Sequence, residues 1–186
     1  MLMLIPGKEL CLRSTDNRFG IRLEATHVAC LMAECQKARN QETGGILIGH
    51  YSRDHAMAFV TEVTSAPIDS KRGATWFDRG VRGLKRKLQI SWRKANTFYL
   101  GEWHFHPGAP PNPSPVDSTQ MAEIATSPHY ACPEPILLIV GGTGAHWNVA
   151  GYVYEKGTRR HTLSECDKLL VGGQHGEPSG SSPDRR

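Results

Sequence analysis

Two histidines one residue apart, His104 and His106, precede an aspartate, Asp117, and all three side-chain types bind zinc in proteins. The aromatic and β-branched run at residues 97–100 predicts that both histidines lie near the end of a strand, where side chains at i and i+2 share one face. Between the histidines and Asp117 the chain is rich in proline, which stiffens a turn and cannot continue a strand. The sequence therefore predicts that this loop folds Asp117 back to complete a catalytic zinc site with three protein ligands and a water.

The same residues have a second interpretation. Two histidines on a strand need not bind a metal, and Ser114 followed three positions later by Asp117 is also the pattern of a helix cap. The residues around and after Asp117 are spaced as in an amphipathic helix, with apolar positions at Val116, Met121 and Ile124. The joint occurrence of both histidines, the prolines and the S-x-x-D pattern within residues 101–117 favours the metal site.

A hydrolytic zinc site also needs a base, and the sequence offers two glutamates. Glu102 lies two residues before His104 on the same strand face, where it could act as the base, support a ligand or pair with a neighbouring cation. Glu42 precedes a Gly-Gly pair and an apolar run that predicts a buried strand, and these glycines permit close backbone approach. Glu42 could instead be a solvated loop residue, so both candidates stay open at this point.

The complete pattern resembles the JAMM motif of the MPN+ metalloproteases, which hydrolyse isopeptide bonds at the C-terminus of ubiquitin and ubiquitin-like proteins. The resemblance covers residues 19–154 and is greatest for the bacterial deubiquitinase-like peptidases of CBASS antiphage operons, which act on a conjugated cGAS-like nucleotidyltransferase. The residues that carry it are Glu42, His104, His106, Pro107, Ser114 and Asp117.

This resemblance implies a role for each of those side chains. His104, His106 and Asp117 would bind one zinc ion, and Glu42 would bind and deprotonate the water. Ser114 would donate a hydrogen bond to the oxyanion of the tetrahedral intermediate, although a role as helix cap remains the alternative. Phe105 departs from the small hydroxyl residue often found between the two histidines, and we expect it to pack on the opposite face of the strand.

The resemblance also implies an α/β fold: a single MPN (JAMM) domain with a mixed, curved β-sheet flanked by helices, in a cytidine-deaminase-like architecture. Within this scheme, residues 1–18 form an N-terminal strand or extension and residues 19–171 the catalytic domain. Residues 172–186 are rich in Gly, Ser, Pro and charge, which predicts a disordered tail.

Periodicity predicts two long helices and five strands in addition to the short helix after Asp117. The helices are expected near residues 24–38 and 79–93, and the strands near 44–51, 56–64, 97–106, 135–141 and 147–155. The inward residues of the helices are predicted to be Val28, Leu31, Met32, Cys35, Val81, Leu84, Leu88 and Trp92. The aromatic residues Trp76, Phe77 and Trp92 are all expected in the core.

The composition is that of one globular domain, with 186 residues of which 39% are hydrophobic. Its five cysteines are scattered and odd in number, which favours reduced thiols in a cytoplasmic protein over a disulfide framework. No apolar run is long enough to predict secretion or membrane insertion.

Positive charge is concentrated in residues 71–94, which contain nine Lys or Arg residues and a single acidic residue, Asp78. This segment is predicted to form the exposed face of the second helix and the loop before it. A solvated helix face is the simpler explanation, and an acidic protein partner is the more specific one. No stacking platform of aromatic residues accompanies the charges, so nucleic acid is not expected as a partner.

Three functions are considered. The resemblance implies a zinc isopeptidase or peptidase that acts on the C-terminal tail of a ubiquitin-like protein or nucleotidyltransferase conjugate, or that processes a sulfur-carrier or ubiquitin-like precursor. The second is an inert MPN scaffold that binds a partner through the basic helix. A zinc deaminase is disfavoured, because that class needs H-x-E with P-C-x-x-C and the segment Cys132-Pro133-Glu134-Pro135 has no second cysteine.

Overall fold

Eleven strands and three α-helices make up the regular structure of residues 2–143, 146–156 and 159–166, which are the residues that the computed structural model describes. The helices are α1 (Ala25–Ala38), α2 (Leu84–Ala95) and α3 (Pro115–Thr126). The strands are β1 (Leu2–Met3), β2 (Leu10–Arg13), β3 (Gly20–Leu23), β4 (Thr43–Tyr51), β5 (Ala58–Val63), β6 (Lys71–Arg72), β7 (Phe77–Asp78), β8 (Phe98–Pro107), β9 (Ile136–Thr143), β10 (His146–Glu155) and β11 (Arg159–Glu165).

Nine of these strands form one mixed sheet in the order β1-β10-β11-β2-β3-β5-β4-β8-β9, and a further pairing of β9 with β10 closes it into a ring. The pairs β3–β5 and β8–β9 are parallel, and the other strand pairs of this sheet are antiparallel. β6 and β7 pair with each other in a separate hairpin. The predicted mixed α/β fold of one domain with a curved sheet is therefore confirmed.

Helix α1 packs its apolar face on β3, β4 and β5 and covers the larger part of the core. Its buried residues Val28, Leu31 and Cys35 follow the three- and four-residue spacing of one helix face. On the other side of the sheet, Met121 and Ile124 of α3 pack in a second apolar cluster. The first helix and the predicted strands agree with the structure to within about two residues, the ordinary uncertainty of element ends.

The second helix was predicted to begin too early. It begins at Leu84, because Gly83 before it adopts a left-handed conformation with φ +86° and the Asp69 carboxylate accepts the N–H groups of Val81 and Arg82. Val81 therefore lies outside the helix and is 66% exposed, contrary to the expectation of an inward residue. Leu84 and Leu88 are half-buried, so α2 lies loosely on the second cluster.

The expected core positions of the tryptophans in this segment are also wrong. Trp76 is 51% exposed and Trp92 is 56% exposed, because the hairpin β6–β7 and helix α2 lie on the outside of the closed sheet. Val116 on α3 is likewise exposed rather than inward. Phe77 is half-buried, and its ring lies nearly perpendicular to that of His104, with 5.8 Å between the ring centroids.

The expectation of five reduced thiols is wrong for one pair, because Cys11 and Cys166 form a disulfide. β11 pairs with β2 through Ser164–Arg13 and Glu165–Leu12, and this register brings the Cα atoms of the two cysteines to 5.4 Å. The other three cysteines carry free thiols. No helix within the described residues is long and apolar enough to cross a membrane. The tail predicted at residues 172–186, and the domain end at 171, lie outside the described residues.

Candidate metal centre

Strand β8 carries both histidines at its C-terminal end, between β4 and β9. His104 and His106 share one face of the strand and are 4% and 8% exposed. Phe105 points to the opposite face, where it is buried in the larger cluster. The structure brings the two histidines together with Asp117, so that one potential ligand atom from each residue lies within 4.8 Å of the other two.

Asp117 reaches this position because it is the third residue of α3 and belongs to its cap. The Ser114 N–H and hydroxyl each donate to Asp117 Oδ2 at 2.7 Å, and the Asp117 N–H donates back to Ser114 Oγ at 3.1 Å. This reciprocal arrangement is a capping box, with Pro115 at the first helical position. The other carboxylate oxygen, Oδ1, lies 2.8 Å from His104 Nδ1. Ser114 is therefore the helix cap that the sequence allowed, and its oxyanion role stays a prediction.

The electrostatics of the three residues suit a divalent cation. Burial alone would raise the pKa of Asp117, but contacts with His104 and Ser114 hold it well below its usual range. Burial opposes the charged form of both histidines and lowers the pKa of His106. For His104, Asp117 and Glu102 outweigh burial and raise the pKa to about 9. The buried carboxylate of Asp117 therefore stabilises a positive charge placed beside it and the two imidazoles.

The donor set also fits zinc chemically. Two imidazole nitrogens and one carboxylate oxygen are the composition of a hydrolytic zinc site, which leaves a position for water. Potential ligand atoms of these three buried residues lie within 4.8 Å of one another, so a single cation could contact all three. The residues present therefore fit the metal that the sequence predicts.

Glu42 lies at the entrance to β4, immediately before the register pair Thr43–Phe105. Its N–H donates to Gly73 O at 2.8 Å, and its side chain is half-buried. Burial raises the pKa of Glu42, the charge of Asp117 adds to this effect, and His104 opposes it. Gly44 allows β4 to lie this close to β8, because a Cβ at residue 44 would be 2.4 Å from Trp103 O and 3.0 Å from His104 Cδ2. Glu42 is thus a carboxylate beside the cluster, within the electrostatic influence of Asp117 and His104.

Glu102, the other candidate base, is fully buried and forms an ion pair. Arg79 Nε donates to Glu102 Oε2 at 3.0 Å, and Arg79 Nη2 donates to Oε1 at 2.8 Å. Burial would raise the pKa of Glu102, but His104 and Arg79 together lower it. A carboxylate held in this way is a poorer proton acceptor than Glu42.

Arg79 is the residue near the site that sequence reasoning missed. It was counted with the exposed basic face, whereas its side chain is only 4% exposed. The one signal for it in the sequence was the possibility that Glu102 pairs with a neighbouring cation. Which of the nine Lys and Arg residues in the segment supplies that cation depends on the fold.

Known proteins resemble this chain over most of its length. Residues 24–151 match the family described as prokaryotic homologs of the JAB domain. A protein of Enterobacter hormaechei subsp. hoffmannii named CD-NTase/cGAS isopeptidase is 44% identical over 138 residues, 74% of this chain and 76% of its own length. A protein of the same name from Escherichia coli is 36% identical over 104 residues, 54% of this chain and 62% of its own.

A solved structure shares the fold at lower similarity. The solution structure of a protein from Desulfitobacterium hafniense superposes with a TM-score of 0.50 and 19% identity, covering 76% of this chain and 86% of its own. Glu42, both histidines, Ser114 and Asp117 lie within the matched range of residues 24–151. The chain is therefore a member of the family of prokaryotic JAB-domain proteins.

Proposed function

We propose that this protein is a zinc-dependent isopeptidase of bacterial antiphage defence. Its substrate would be the amide bond after the C-terminus of a ubiquitin-like protein or of a conjugated cGAS-like nucleotidyltransferase. The convergence of His104, His106 and Asp117 in a JAB-family chain carries the proposal. The name CD-NTase/cGAS isopeptidase, borne by a relative 44% identical to this chain, supports the choice of substrate.

His104, His106 and Asp117 would hold the zinc ion, which when bound polarises the scissile carbonyl and lowers the pKa of water. Glu42 accepts the proton of the attacking water and passes it to the leaving amine. The half-buried position of Glu42 suits this role. Its carboxylate is partly shielded from bulk water and, within the described part of the chain, has no ion-pair partner like that of Glu102. Asp117, fixed by the cap of α3, keeps its Oδ1 beside His104.

The substrate would enter as an extended tail, because strand addition straightens a chain and delivers its bond to a fixed point. Hairpin β6–β7 supports this idea. It contacts the site through Gly73 O, which accepts the Glu42 N–H, and through Phe77, which lies edge-on to His104. We propose that the substrate tail lies as an added strand beside hairpin β6–β7.

Ser114 is proposed to donate to the carbonyl oxygen as that oxygen becomes negative. Its hydroxyl donates to Asp117 Oδ2, so it has to exchange this partner for the substrate during the reaction. Removing one oxyanion donor costs about 10²–10³-fold in kcat in comparable sites. We therefore expect Ser114→Ala to lower kcat by about that factor, measured by single-turnover cleavage.

A second variant separates the donor role from the cap. Glycine at an N-cap is only a few tenths of a kcal/mol worse than serine, whereas alanine costs about 0.5–2 kcal/mol. Ser114→Gly should therefore fold more stably than Ser114→Ala and be equally impaired in kcat. If kcat instead follows the free energy of unfolding, Ser114 acts only as the cap.

The principal test uses protein purified without a histidine tag, its zinc content, and two substrates. One is a nucleotidyltransferase joined through its C-terminus to a lysine side chain, and the other is a linear precursor with a C-terminal extension. We expect about one equivalent of zinc, a requirement of a three-ligand site, and cleavage of the first substrate that a chelator abolishes. Cleavage of the linear precursor alone would indicate a processing peptidase. Less than about half an equivalent of zinc, without cleavage, would indicate an inert scaffold.

From the family resemblance we also propose a catalytic domain over residues 19–171 with a cytidine-deaminase-like architecture. From the composition of the chain we propose a cytoplasmic location and a tail at residues 172–186. Because Cys11 and Cys166 form a disulfide, purification with and without reductant belongs in the same experiment.

A further inference from the structure

The Arg79–Glu102 pair lies within the protein beside the candidate metal centre. The side chains are 4% and 0% exposed, and both oxygens of the carboxylate accept hydrogen bonds from the guanidinium. The Tyr99 hydroxyl also donates to Glu102 Oε1 at 3.3 Å, and Arg79 Nη2 lies 3.3 Å from Tyr130 Oη. Burying two charges carries a desolvation penalty that their attraction often fails to repay, so stability alone is a poor reason for the pair.

The orientation of the His104 ring gives a more specific reason. Its Nδ1 faces Asp117 Oδ1 at 2.8 Å, within the proposed ligand cluster. Its Nε2 points the other way and lies 3.6 Å from Glu102 Oε2, which is too long for a hydrogen bond. This Nε2 is buried and has no hydrogen-bond partner among the residues that the structure describes. A small rotation of the ring towards Glu102 would therefore satisfy it.

Histidines that bind metals almost always donate their second ring N–H to a carboxylate, a backbone carbonyl or water, which fixes the tautomer and the ring orientation. We propose that Glu102, clamped by Arg79, is a positioning residue that accepts the Nε2–H of His104 and leaves Nδ1 free of a proton for the metal. This inference rests on the metal site of the proposed function and adds two residues to it.

Two hydrogen bonds from Arg79 fix the orientation of the Glu102 carboxylate. Arg79 Nε donates to Oε2 and Arg79 Nη2 donates to Oε1, which is the fork geometry of a bidentate pair. Glu102 and His104 are also two residues apart on the same face of β8, so the strand itself holds their spacing. Oε2 therefore presents a lone pair to His104 in a position that a free side chain would not keep.

The first measurement uses the wild-type protein loaded with zinc. A nitrogen–proton NMR correlation spectrum of histidine-labelled protein reports which ring nitrogen of His104 carries a proton. We expect the proton on Nε2, protected from exchange with solvent. A protonated Nδ1, or an unprotonated Nε2, would overturn the inference without any need for a variant to fold.

The second measurement compares zinc affinities by competition with a chelator. Glu102→Gln has one acceptor oxygen where the carboxylate has two, so Arg79 and His104 compete for it. We expect zinc affinity to fall about 10–100-fold, the usual effect of losing such a partner. The matched control Tyr99→Phe removes another contact of Glu102 but leaves Oε2 unchanged, and its zinc affinity should equal that of the wild type.

The outcomes separate this inference from the proposed function. A folded Glu102→Gln variant with wild-type zinc affinity overturns the positioning role and leaves the metal site in place. An equal loss of affinity in Tyr99→Phe also overturns it, because general disturbance of the cluster would then explain both results. A wild-type protein that binds no zinc overturns the positioning role and the proposed function together.

Discussion

Glu42→Gln is expected to lower kcat by about 10²–10⁴-fold, the usual contribution of a positioned general base, while one equivalent of zinc stays bound. The amide has nearly the shape of the carboxylate but cannot accept the proton of the attacking water. Zinc binding should persist, because Glu42 lies outside the group formed by His104, His106 and Asp117. Single-turnover cleavage together with metal analysis of the same sample measures both effects.

The control for this variant is Glu24→Gln, which removes an equal charge at the exposed residue before α1. Its activity should match that of the wild type. If Glu42→Gln cleaves at the normal rate, the base has been assigned to the wrong residue and Glu102 becomes the candidate. The two glutamates remain distinguishable, because Glu102→Gln is expected to weaken zinc binding and Glu42→Gln is not.

Asp117→Ala is expected to lose both zinc and cleavage. The substitution removes one of the three candidate ligands and also one half of the capping box of α3. Ser114 Oγ can still accept the N–H of residue 117, but the Ser114 N–H loses its charged acceptor. A hydrogen bond to a charged group contributes about 1.5–3 kcal/mol, so the free energy of unfolding should fall by about that amount. Metal analysis, the cleavage assay and urea unfolding of the metal-free proteins measure the three effects.

Asp117→Asn separates ligand loss from cap loss. Its amide oxygen can still accept the Ser114 N–H, which donates to Asp117 Oδ2 at 2.7 Å, so the helix should keep most of its cap. It lacks the negative charge, so zinc binding and cleavage should still be lost. An asparagine variant that binds zinc as tightly as the wild type would contradict the assignment of Asp117 as a ligand.

The convergence of the candidate ligands could be predicted from the sequence because it depends on local rules. Residues two apart on a strand share a face, so His104 and His106 had to point together. The S-x-x-D pattern after a run of prolines predicts a helix start, and the capping box orients Asp117 within its first turn. The spacing of apolar residues gave α1 and the main strands for the same reason.

Contacts between distant segments could not be predicted in this way. Cys11 and Cys166 are 155 residues apart, and the register of β11 on β2 brings them together. Arg79 reaches Glu102 because the segment before α2 is held in a turn by Asp69. Helical spacing counted through that turn placed Val81 inside the protein, so a single wrong helix start misassigned both the exposed apolar side chain and the buried cation.

The strands of the ring are joined by different numbers of register pairs. β11 joins β2 through the two register pairs of the described residues, whereas β8 joins β4 and β9 through seven pairs each. In the strand order, β2 and β11 lie on the far side of the ring from β8. Among the strands of the ring, local opening starts where fewest backbone hydrogen bonds hold. Once the Cys11–Cys166 disulfide is reduced, amide protons of the ring should therefore exchange first at this junction and last around the histidines. Reduction of the disulfide would thus allow the ring to open between β2 and β11, while β8 with its two histidines stays in place.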